Sequence, residues 1–377
     1  MSVQNHSSFD DHTEILFVCD PPSGLRAIIA LHRAWQKPSV GGCRLKTYDS
    51  EDEALDDVLR LSRGMTYKSV MAGLTFGGAK AVMVSAPEDR QREAQMRAMA
   101  RITDRLGGRF RTGVDFGLCA KDIEIMQRET SFVFGDSVVP PSEATAEGVL
   151  ISMKAAVRSR LERSDLAGLR VMLPGLGKVG MRLAELLARE RANVWVTDVD
   201  EDRVQTACQK FGVKVADSSS AHAADVDIYC PCALGGVLNE RTIEDMQAKV
   251  VVGSANNQLA TLRDGESLHE RSILYAPDYI VNAGGLIAVA AELEEESSAW
   301  VDQKLHALSD TLANVFDTAS RRNLNTAIAA DLLAERRIQA LERSEAAHQS
   351  GKPSSPSIRV AGQDHIASSK ARRQVTG

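Results

Sequence analysis

The chain has no long apolar runs, no excess of basic charge and no cysteine pattern typical of metal binding. No stretch approaches the ~20 apolar residues that a membrane span requires, so we expect no membrane partner. Lys and Arg number 45 against 51 Asp and Glu, and this net charge of −6 argues against general binding of nucleic acid. The six cysteines are scattered, and the polar N-terminus has no apolar signal core. These absences favour a cytoplasmic protein with free thiols and no metal.

The length and the composition predict more than one folded domain. A chain of 377 residues is too long for one ordinary core, and its 44% apolar and 25% charged residues are typical of globular proteins. The pattern changes near Pro140 and Pro141, after which strands and helices alternate. We predict an α/β protein with a disordered lead over 1–12, one domain over 13–140 and a parallel-sheet domain over 141–324. A last helix over 325–344 and a disordered tail over 345–377 complete the prediction.

The segment 64–80 places two lysines among glycines and apolar residues. Lys68 and Lys80 are flanked by side chains that favour burial, and burial lowers the pKa of a lysine. One lysine could then act as a general base while the other stays charged and holds a carboxylate. Two solvated lysines around a turn remain the alternative. A phosphate-binding P-loop is excluded because Ala79 separates Lys80 from the preceding glycine and Ala81 follows it.

Two further glycine motifs stand in the first half. Gly41 and Gly42 form a pair that would let backbone N–H groups approach a ligand, although the pair taken alone favours a tight turn. Asp115 follows Gly113 at the end of a short predicted strand. This carboxylate could lie at a cleft or simply begin a turn.

The second half contains a complete dinucleotide-binding pattern. A strand over 169–174 leads into the turn Gly175-Leu-Gly177-Lys178-Val179-Gly180, which opens a helix. The next strand ends at Asp198, 18 residues after Gly180. The glycines allow the pyrophosphate to approach the helix N-terminus. Asp198 would bind the ribose hydroxyls and repel a 2′-phosphate, so the pattern predicts NAD in preference to NADP.

Three later strands are each followed by small or amide residues. Because ligands bind at the carboxyl ends of parallel strands, these clusters are expected to line the cofactor crevice, with simple turns as the alternative. They contain Cys232, Ala233, Asn256, Asn257 and Asn282. Cys230-Pro-Cys232 has one intervening residue, not the two of a redox or zinc motif, and this spacing favours packing at a strand end.

Taken together, these motifs resemble the amino acid dehydrogenases of the glutamate, leucine, phenylalanine and valine family. Their order and spacing match the family over roughly residues 14–344. The matching segments are Val40-Gly41-Gly42-Cys43-Arg44, Gly64-Met65-Thr66-Tyr67-Lys68, Gly77-Gly78-Ala79-Lys80, Thr112-Gly113-Val114-Asp115, the turn from Gly175 to Gly180, Gly253-Ser254-Ala255-Asn256-Asn257-Gln258 and Tyr279-Ile280-Val281-Asn282-Ala283-Gly284-Gly285.

The resemblance implies a fold and a set of residue roles. The first domain, joined by the last helix, would bind the amino acid, and the Rossmann domain would bind NAD. Lys68 and the Gly41-Gly42 backbone would hold the α-carboxylate, with Asn257 facing the substrate. Lys80 would activate water as the general base, and Asp115 would carry the proton of the amino group. The implied cofactor contacts are Thr145 and Asn282 at the nicotinamide and Gly175, Gly177, Lys178, Val179, Gly180, Asp198, Cys232, Ala233 and Asn256 around the rest of the molecule.

The same resemblance implies a substrate with an apolar side chain. Glutamate enzymes carry a lysine where this chain has Val40, so a distal carboxylate would be left unpaired. Val40, Gly113, Leu286 and Val289 are expected to form the side-chain pocket. Gly113 would leave the room typical of phenylalanine and tryptophan enzymes, and Leu286 would reduce it, so branched-chain and aromatic substrates both stay open.

The resemblance also predicts an oligomer, and two other functions stay open. The family is oligomeric, which predicts a homo-oligomer. A non-catalytic NAD-binding protein of the same fold is the first alternative function. A hydroxy-acid dehydrogenase is the second, although none of the eight histidines lies in a motif described above.

Overall fold

The computed structural model describes residues 3–84 and 89–349. The first domain is built on a six-stranded sheet with the order β1-β2-β5-β3-β6, in which β4 also pairs with β5. The strands are β1 (Glu14–Asp20), β2 (Leu25–Leu31), β3 (Ser39–Val40), β4 (Cys43–Leu45), β5 (Gly77–Met83) and β6 (Phe110–Arg111). Three helices, α1 (Glu51–Met71), α2 (Asp89–Arg105) and α3 (Ala120–Gln127), complete the domain. The helix predicted after Pro87 is α2, and its predicted first turn lies outside the described residues.

Strand β5 carries Lys80 through the centre of this sheet. All seven of its residues are buried, and Lys80 stands opposite Ala30 of the antiparallel strand β2. Helix α1 lies directly on β5, since a Cβ atom at Gly78 would come within 2.1 Å of the Thr66 nitrogen. The Ser50 side chain caps α1 by accepting a hydrogen bond from the Glu53 N–H. This close packing fixes Lys68, in the last turn of α1, beside the strand that carries Lys80.

The N-terminal lead differs from the sequence-based prediction of disorder. Residues 3–5 form a 3₁₀ turn. The Ser8 hydroxyl donates to Asp56, and the Asp10 carboxylate pairs with Arg63 at 2.8 Å. His12 Nε2 lies 3.1 Å from the Leu59 carbonyl oxygen. These contacts to α1 order residues 3–12, and composition alone does not reveal them because every partner is distant in sequence.

The second domain is the predicted parallel sheet with helices between its strands. Its strand order is β12-β11-β10-β7-β8-β9, with Val171 of β7 opposite both Val194 of β8 and Ile228 of β10. The strands are β7 (Arg170–Pro174), β8 (Asn193–Thr197), β9 (Lys214–Val215), β10 (Ile228–Tyr229), β11 (Val250–Val251) and β12 (Leu274–Tyr275). The helices are α4 (Pro141–Leu161), α5 (Lys178–Arg189), α6 (Glu201–Phe211), α7 (Glu240–Asp245), α8 (Leu262–Glu270), α9 (Asp278–Val281) and α10 (Gly284–Leu293), with a 3₁₀ turn over Ser218–Ala223.

Two long helices end the described chain, as the sequence predicts. Helix α11 (Ser298–Arg322) packs on α4, and α12 (Thr326–Gln349) returns to α1. Arg337 of α12 donates to the Val70 and Met71 carbonyl oxygens at 2.9 and 3.1 Å. Residues 345–349 continue α12 although the tail is predicted from 345, and residues 350–377 lie outside the described part. Within residues 3–84 and 89–349, no helix is both long and apolar enough to span a membrane.

Candidate active site

The centre of the site is an ion pair between Lys80 and Asp115. Lys80 Nζ lies 2.5 Å from Asp115 Oδ2, and Lys80 is only 6% exposed. Asp115 follows β6 and reaches Lys80 past Gly42, where an added Cβ atom would stand 2.8 Å from the Asp115 Cβ atom. A side chain at position 42 would therefore push the carboxylate away from the lysine. The two groups predicted separately from sequence lie in direct contact.

A second cation fixes the charge of Asp115. Arg44 Nε lies 3.3 Å from Asp115 Oδ2, and another nitrogen of Arg44 lies 2.8 Å from Asp57 Oδ2. Burial by itself would raise the pKa of Asp115, but the charges of Lys80 and Arg44 outweigh burial and hold this pKa below its ordinary value. Asp115 is therefore a carboxylate at neutral pH. Lys80 is in direct contact with this carboxylate before any substrate binds.

Lys68 bridges the two domains. Its Nζ lies 3.4 Å from Asn256 Oδ1 of the second domain. Burial lowers the pKa of Lys68 to about 8; the carboxylates of Asp278 and Asp115 oppose this shift, and the charge of Lys80 adds to it. The sequence predicts a lysine of lowered pKa as the base, yet the lowered pKa belongs to the lysine predicted to hold a carboxylate. An incoming carboxylate would restore the favourable environment of this ammonium group.

The Gly41-Gly42 pair is first of all a packing feature. A Cβ atom at Gly41 would lie 1.6 Å from the Ala79 carbonyl oxygen, so only glycine allows β3 and β5 to approach here. The Gly41 N–H donates to the Arg111 carbonyl oxygen at 3.1 Å. The predicted contact of the Gly41 amide with the substrate is thus at odds with its place in the sheet. A backbone role for Gly42 stays a prediction.

The predicted dinucleotide turn has the geometry that its glycines require. Gly175 has a φ of +103°, and a Cβ atom at Gly180 would lie 1.9 Å from the Gly175 carbonyl oxygen. Gly177 precedes α5, and a Cβ atom there meets nothing within 4 Å, so the helix N-terminus formed by Lys178 and Val179 is open to a ligand. This opening fits a pyrophosphate.

Other predicted cofactor residues border the same turn. Asp198 follows β8, and its carboxylate accepts the Leu176 N–H at 2.5 Å. The Cys232 N–H donates to the Pro174 carbonyl oxygen at 2.8 Å, and the Ala233 nitrogen lies 2.6 Å from the Cβ position of Gly175. Asp198 is half-buried, so its side chain is still accessible to ribose hydroxyls.

Asn282 carries an unused acceptor at the inner end of the crevice. Its Nδ2 donates to Asn256 Oδ1 at 2.9 Å and to the Ser254 carbonyl oxygen at 3.2 Å. Its Oδ1 is buried and has no hydrogen-bond partner among the described residues. Because such an acceptor costs free energy, it fits an amide donor such as the nicotinamide carboxamide.

Thr145 and Asn257 have less defined positions with respect to a ligand. Thr145 lies near the turn after Asn282, with Oγ1 3.2 Å from the Cβ position of Gly285, and its hydroxyl donates to the Pro141 carbonyl oxygen at 2.7 Å. Asn257 is exposed, has a φ of +51°, and accepts the Gly236 N–H at its carbonyl oxygen. Their contacts with nicotinamide and substrate stay predictions.

The residues expected to form the side-chain pocket are buried or closely packed. Val40, Leu286 and Val289 are buried. A Cβ atom at Gly113 would lie 2.2 Å from the ring of Phe134. The Phe134 ring therefore lies where a side chain at position 113 would extend, and Gly113 as space for an aromatic substrate stays a prediction.

The chain is similar to known proteins over most of its length. Residues 12–137 match the model of the Glu/Leu/Phe/Val dehydrogenase dimerisation domain, and residues 196–350 match that of the Glutamate/Leucine/Phenylalanine/Valine dehydrogenase family. A leucine dehydrogenase of Geobacillus stearothermophilus is 42% identical over 338 residues, covering 88% of this chain and 92% of that protein. The chain belongs to this family. It is an amino acid dehydrogenase, an oxidoreductase of a family that uses a nicotinamide cofactor.

Two further relatives define its place among these dehydrogenases. A phenylalanine dehydrogenase of Caldalkalibacillus thermarum is 42% identical, covering 90% of this chain and 94% of that protein. The crystal structure of L-tryptophan dehydrogenase from Nostoc punctiforme is 38% identical with a TM-score of 0.79, covering 88% of this chain and 97% of that chain. The resemblance inferred from motifs and the two-domain α/β fold are confirmed. Because this dehydrogenase is equally similar to a leucine enzyme and a phenylalanine enzyme, these identities do not decide its substrate.

The sequence does not predict roles for Arg44 and Phe134 near this site. Arg44 stands inside a matched motif, but only its contacts with Asp115 and Asp57 reveal its effect. Phe134 lies in a loop outside every motif, and only its distance from Gly113 reveals its place.

Proposed function

We propose that this dehydrogenase catalyses the reversible, NAD-dependent oxidative deamination of an apolar L-amino acid to the 2-oxo acid and ammonia. The observation that carries the proposal is the buried Lys80–Asp115 pair, with Lys68 on the neighbouring helix and an open acceptor on Asn282. A lysine, a carboxylate and a carboxylate-binding cation within one cleft are the groups that this reaction needs.

Lys68 holds the substrate carboxylate in this proposal. Its side chain is half-buried, and among the residues that the structure describes its ammonium group contacts a neutral amide oxygen, at 3.4 Å. A charge-assisted hydrogen bond from a buried cation to a carboxylate contributes about 1.5–3 kcal/mol. Lys68 therefore fixes the α-carbon relative to Lys80.

Lys80 and Asp115 move the protons. In its neutral form, Lys80 accepts a proton from the water that adds to the α-carbon. Asp115, held by Arg44, accepts and returns the proton of the departing amino group. General acid and base catalysis of this kind contributes about 10²–10⁴-fold to the rate.

NAD is the cofactor that fits the second domain. The open N-terminus of α5 would receive the pyrophosphate, Asp198 the ribose hydroxyls, and Asn282 Oδ1 the carboxamide. The carboxylate of Asp198 would repel a 2′-phosphate, which favours NAD over NADP. When bound, NAD supplies the hydride acceptor.

The proposed substrate is an amino acid with a branched aliphatic side chain. Val40, Leu286 and Val289 offer apolar walls without a cation for a distal carboxylate, and the Phe134 ring occupies the space beside Gly113. A smaller pocket favours leucine, valine or isoleucine over phenylalanine or tryptophan. A change of one methylene in such a pocket alters discrimination by about 1–3 kcal/mol.

The direct test is NADH formation by the purified protein with NAD and a panel of L-amino acids at alkaline pH. We expect the highest kcat/KM for a branched-chain amino acid and little turnover of glutamate. Binding of NAD with no turnover of any amino acid would favour the non-catalytic alternative. Turnover of 2-hydroxy acids alone would favour a hydroxy-acid dehydrogenase.

We also propose that the protein works as a homo-oligomer. The family model matched by residues 12–137 is described as a dimerisation domain. The mass in solution, measured by light scattering, is expected to be a multiple of the 40.8 kDa chain.

A further inference from the structure

Two cysteines lie beside the dinucleotide turn and play no part in the proposed reaction. Cys230 directly follows β10 and is fully buried, whereas Cys232, two residues later, is half-buried. Their Sγ atoms are 3.9 Å apart. Both are free thiols, and they are close enough for a small loop movement to join them.

The environments of the two thiols differ in a way that assigns them different roles. Burial raises the pKa of Cys230 well above its ordinary value. A hydrogen bond from the Cys230 thiol, joined by hydrogen bonds from Ser254, lowers the pKa of Cys232. Because the thiolate is the reactive form, Cys232 is the accessible nucleophile and Cys230 the thiol placed behind it.

The loop between these cysteines is packed directly against the cofactor turn. The Cys232 N–H is bonded to the Pro174 carbonyl oxygen, and Cys232 Cβ lies 3.5 Å from the Cβ position of Gly180. On the other side, Pro231 is so close to Gly253 that a Cβ atom there would lie 2.3 Å from the Pro231 carbonyl oxygen. A loop held this closely cannot move without shifting the turn or the Gly253 backbone.

We propose that Cys230 and Cys232 are a redox modification site, at which a peroxide forms a reversible disulfide that weakens binding of the dinucleotide. The sulfur atoms must approach from 3.9 Å to the ~2.05 Å of a disulfide, and this movement pulls the 231–233 loop away from Gly175 and Gly180. A one-residue spacing gives a strained ring, and strained disulfides are easily reduced, which suits a reversible site.

The oxidation balances with hydrogen peroxide as the oxidant. The Cys232 thiolate attacks one peroxide oxygen, the O–O bond breaks, and a sulfenic acid forms as hydroxide leaves. Cys230 then gives up its proton and attacks the Cys232 sulfur, which forms the S–S bond and releases the sulfenic oxygen as water. The two thiols lose two electrons and two protons, and the peroxide is reduced to two waters. A dithiol reductant reverses the change by thiol–disulfide exchange.

The test treats the reduced, full-length protein with hydrogen peroxide and follows two quantities. Peptide mass spectrometry is expected to show the loss of two hydrogen atoms within the peptide that contains both cysteines. The NAD dissociation constant, measured by calorimetry, is expected to rise about tenfold, the size expected when one or two hydrogen bonds to the cofactor are lost. Dithiothreitol should restore both quantities.

Two variants distinguish oxidation of Cys230 and Cys232 from oxidation of another thiol. Cys230→Ala removes the second sulfur, so peroxide should no longer produce the loss of two hydrogen atoms, and oxidation of Cys232 should appear instead as the gain of one oxygen atom. Cys119→Ser, which removes an exposed thiol outside the pair, should respond like the unmodified sequence. If Cys230 and Cys232 stay reduced while Cys119 is oxidised, or if the disulfide forms without a change in NAD affinity, the proposal is wrong.

The effect on affinity rests on the proposed NAD site, so the two claims need separate readouts. Failure of the fully reduced protein to bind NAD would overturn that site, and with it the coupling. Disulfide formation is measured by peptide mass, without reference to the cofactor.

Discussion

The proton-transfer groups on one wall of the active-site cleft are paired, whereas an amide acceptor on the other wall is not. On the first-domain wall, Lys80 and Asp115 are paired with each other, and Arg44 adds a second cation. On the second-domain wall, the buried acceptor Asn282 Oδ1 has no hydrogen-bond partner among the described residues. A buried unpaired charge is far more costly than an unpaired amide, for which the cost is about 1–3 kcal/mol. The reacting charges must therefore be satisfied before substrate arrives, whereas the neutral acceptor can await the cofactor.

Asp115→Asn should have the largest effect on the charged wall. The amide keeps the shape but cannot accept a proton or neutralise Lys80, so kcat should fall about 10²–10⁴-fold. Steady-state NADH formation measures the change. Asp57→Asn is the matched control, since it removes the other carboxylate of Arg44 and leaves the Lys80 pair in place. An equal loss in both variants would assign the effect to the position of Arg44 and not to proton transfer.

Lys68→Ala tests the lysine of this wall that is assigned to hold the substrate carboxylate. Loss of a charge-assisted hydrogen bond should raise the KM for the amino acid about 10–150-fold and leave the dissociation constant of NAD unchanged. Lys46→Ala is the control, because Lys46 is an exposed lysine that pairs with Glu53. A fall in kcat at unchanged KM would contradict the assigned role.

The lowered pKa of Lys68 predicts that binding of the substrate carboxylate depends on pH. Burial lowers this pKa to about 8, so the carboxylate-binding ammonium form predominates below pH 8 and is lost above it. The inhibition constant of an unreactive carboxylate analogue should be flat below pH 8 and rise about tenfold per pH unit above it. Lys68→Arg, which stays charged, should show no such rise. A flat profile for the unmodified protein up to pH 10 would place the carboxylate elsewhere.

Asn282→Ala should have the smallest effect of the four, because it removes a neutral acceptor. The dissociation constant of NAD should rise about 3–10-fold, the range expected for one hydrogen bond. Calorimetry measures it, with Asn193→Ala as an amide control whose side chain donates to the Gly168 carbonyl oxygen. Unchanged NAD affinity in Asn282→Ala would mean that the open acceptor serves another group.

Most of the fold follows from local sequence signals. The strands β7 and β8 and the turn between Gly175 and Gly180 are predicted because apolar runs, glycines and a terminal carboxylate follow one another within about thirty residues. The matched motifs likewise bring Lys80 and Asp115 into the same site. Local patterns and family motifs can both be recognised in the sequence alone.

The features that sequence does not reveal are contacts between distant residues. The Phe134 ring lies against Gly113 because a loop packs back on the strand end, and no periodicity encodes that contact. The Gly41 amide is bonded within the sheet, and the lead over 3–12 is ordered by α1. The lowered pKa of Lys68 depends on burial between two domains, which a flanking sequence cannot measure.

The most direct test of the account is the turnover of Lys80→Ala with the best amino acid substrate and saturating NAD. The account predicts a fall in kcat of about 10²–10⁴-fold, while a 2-oxo acid still binds because Lys68 is in place. A turnover within tenfold of the unmodified protein would contradict the assignment of Lys80 as the group that activates water.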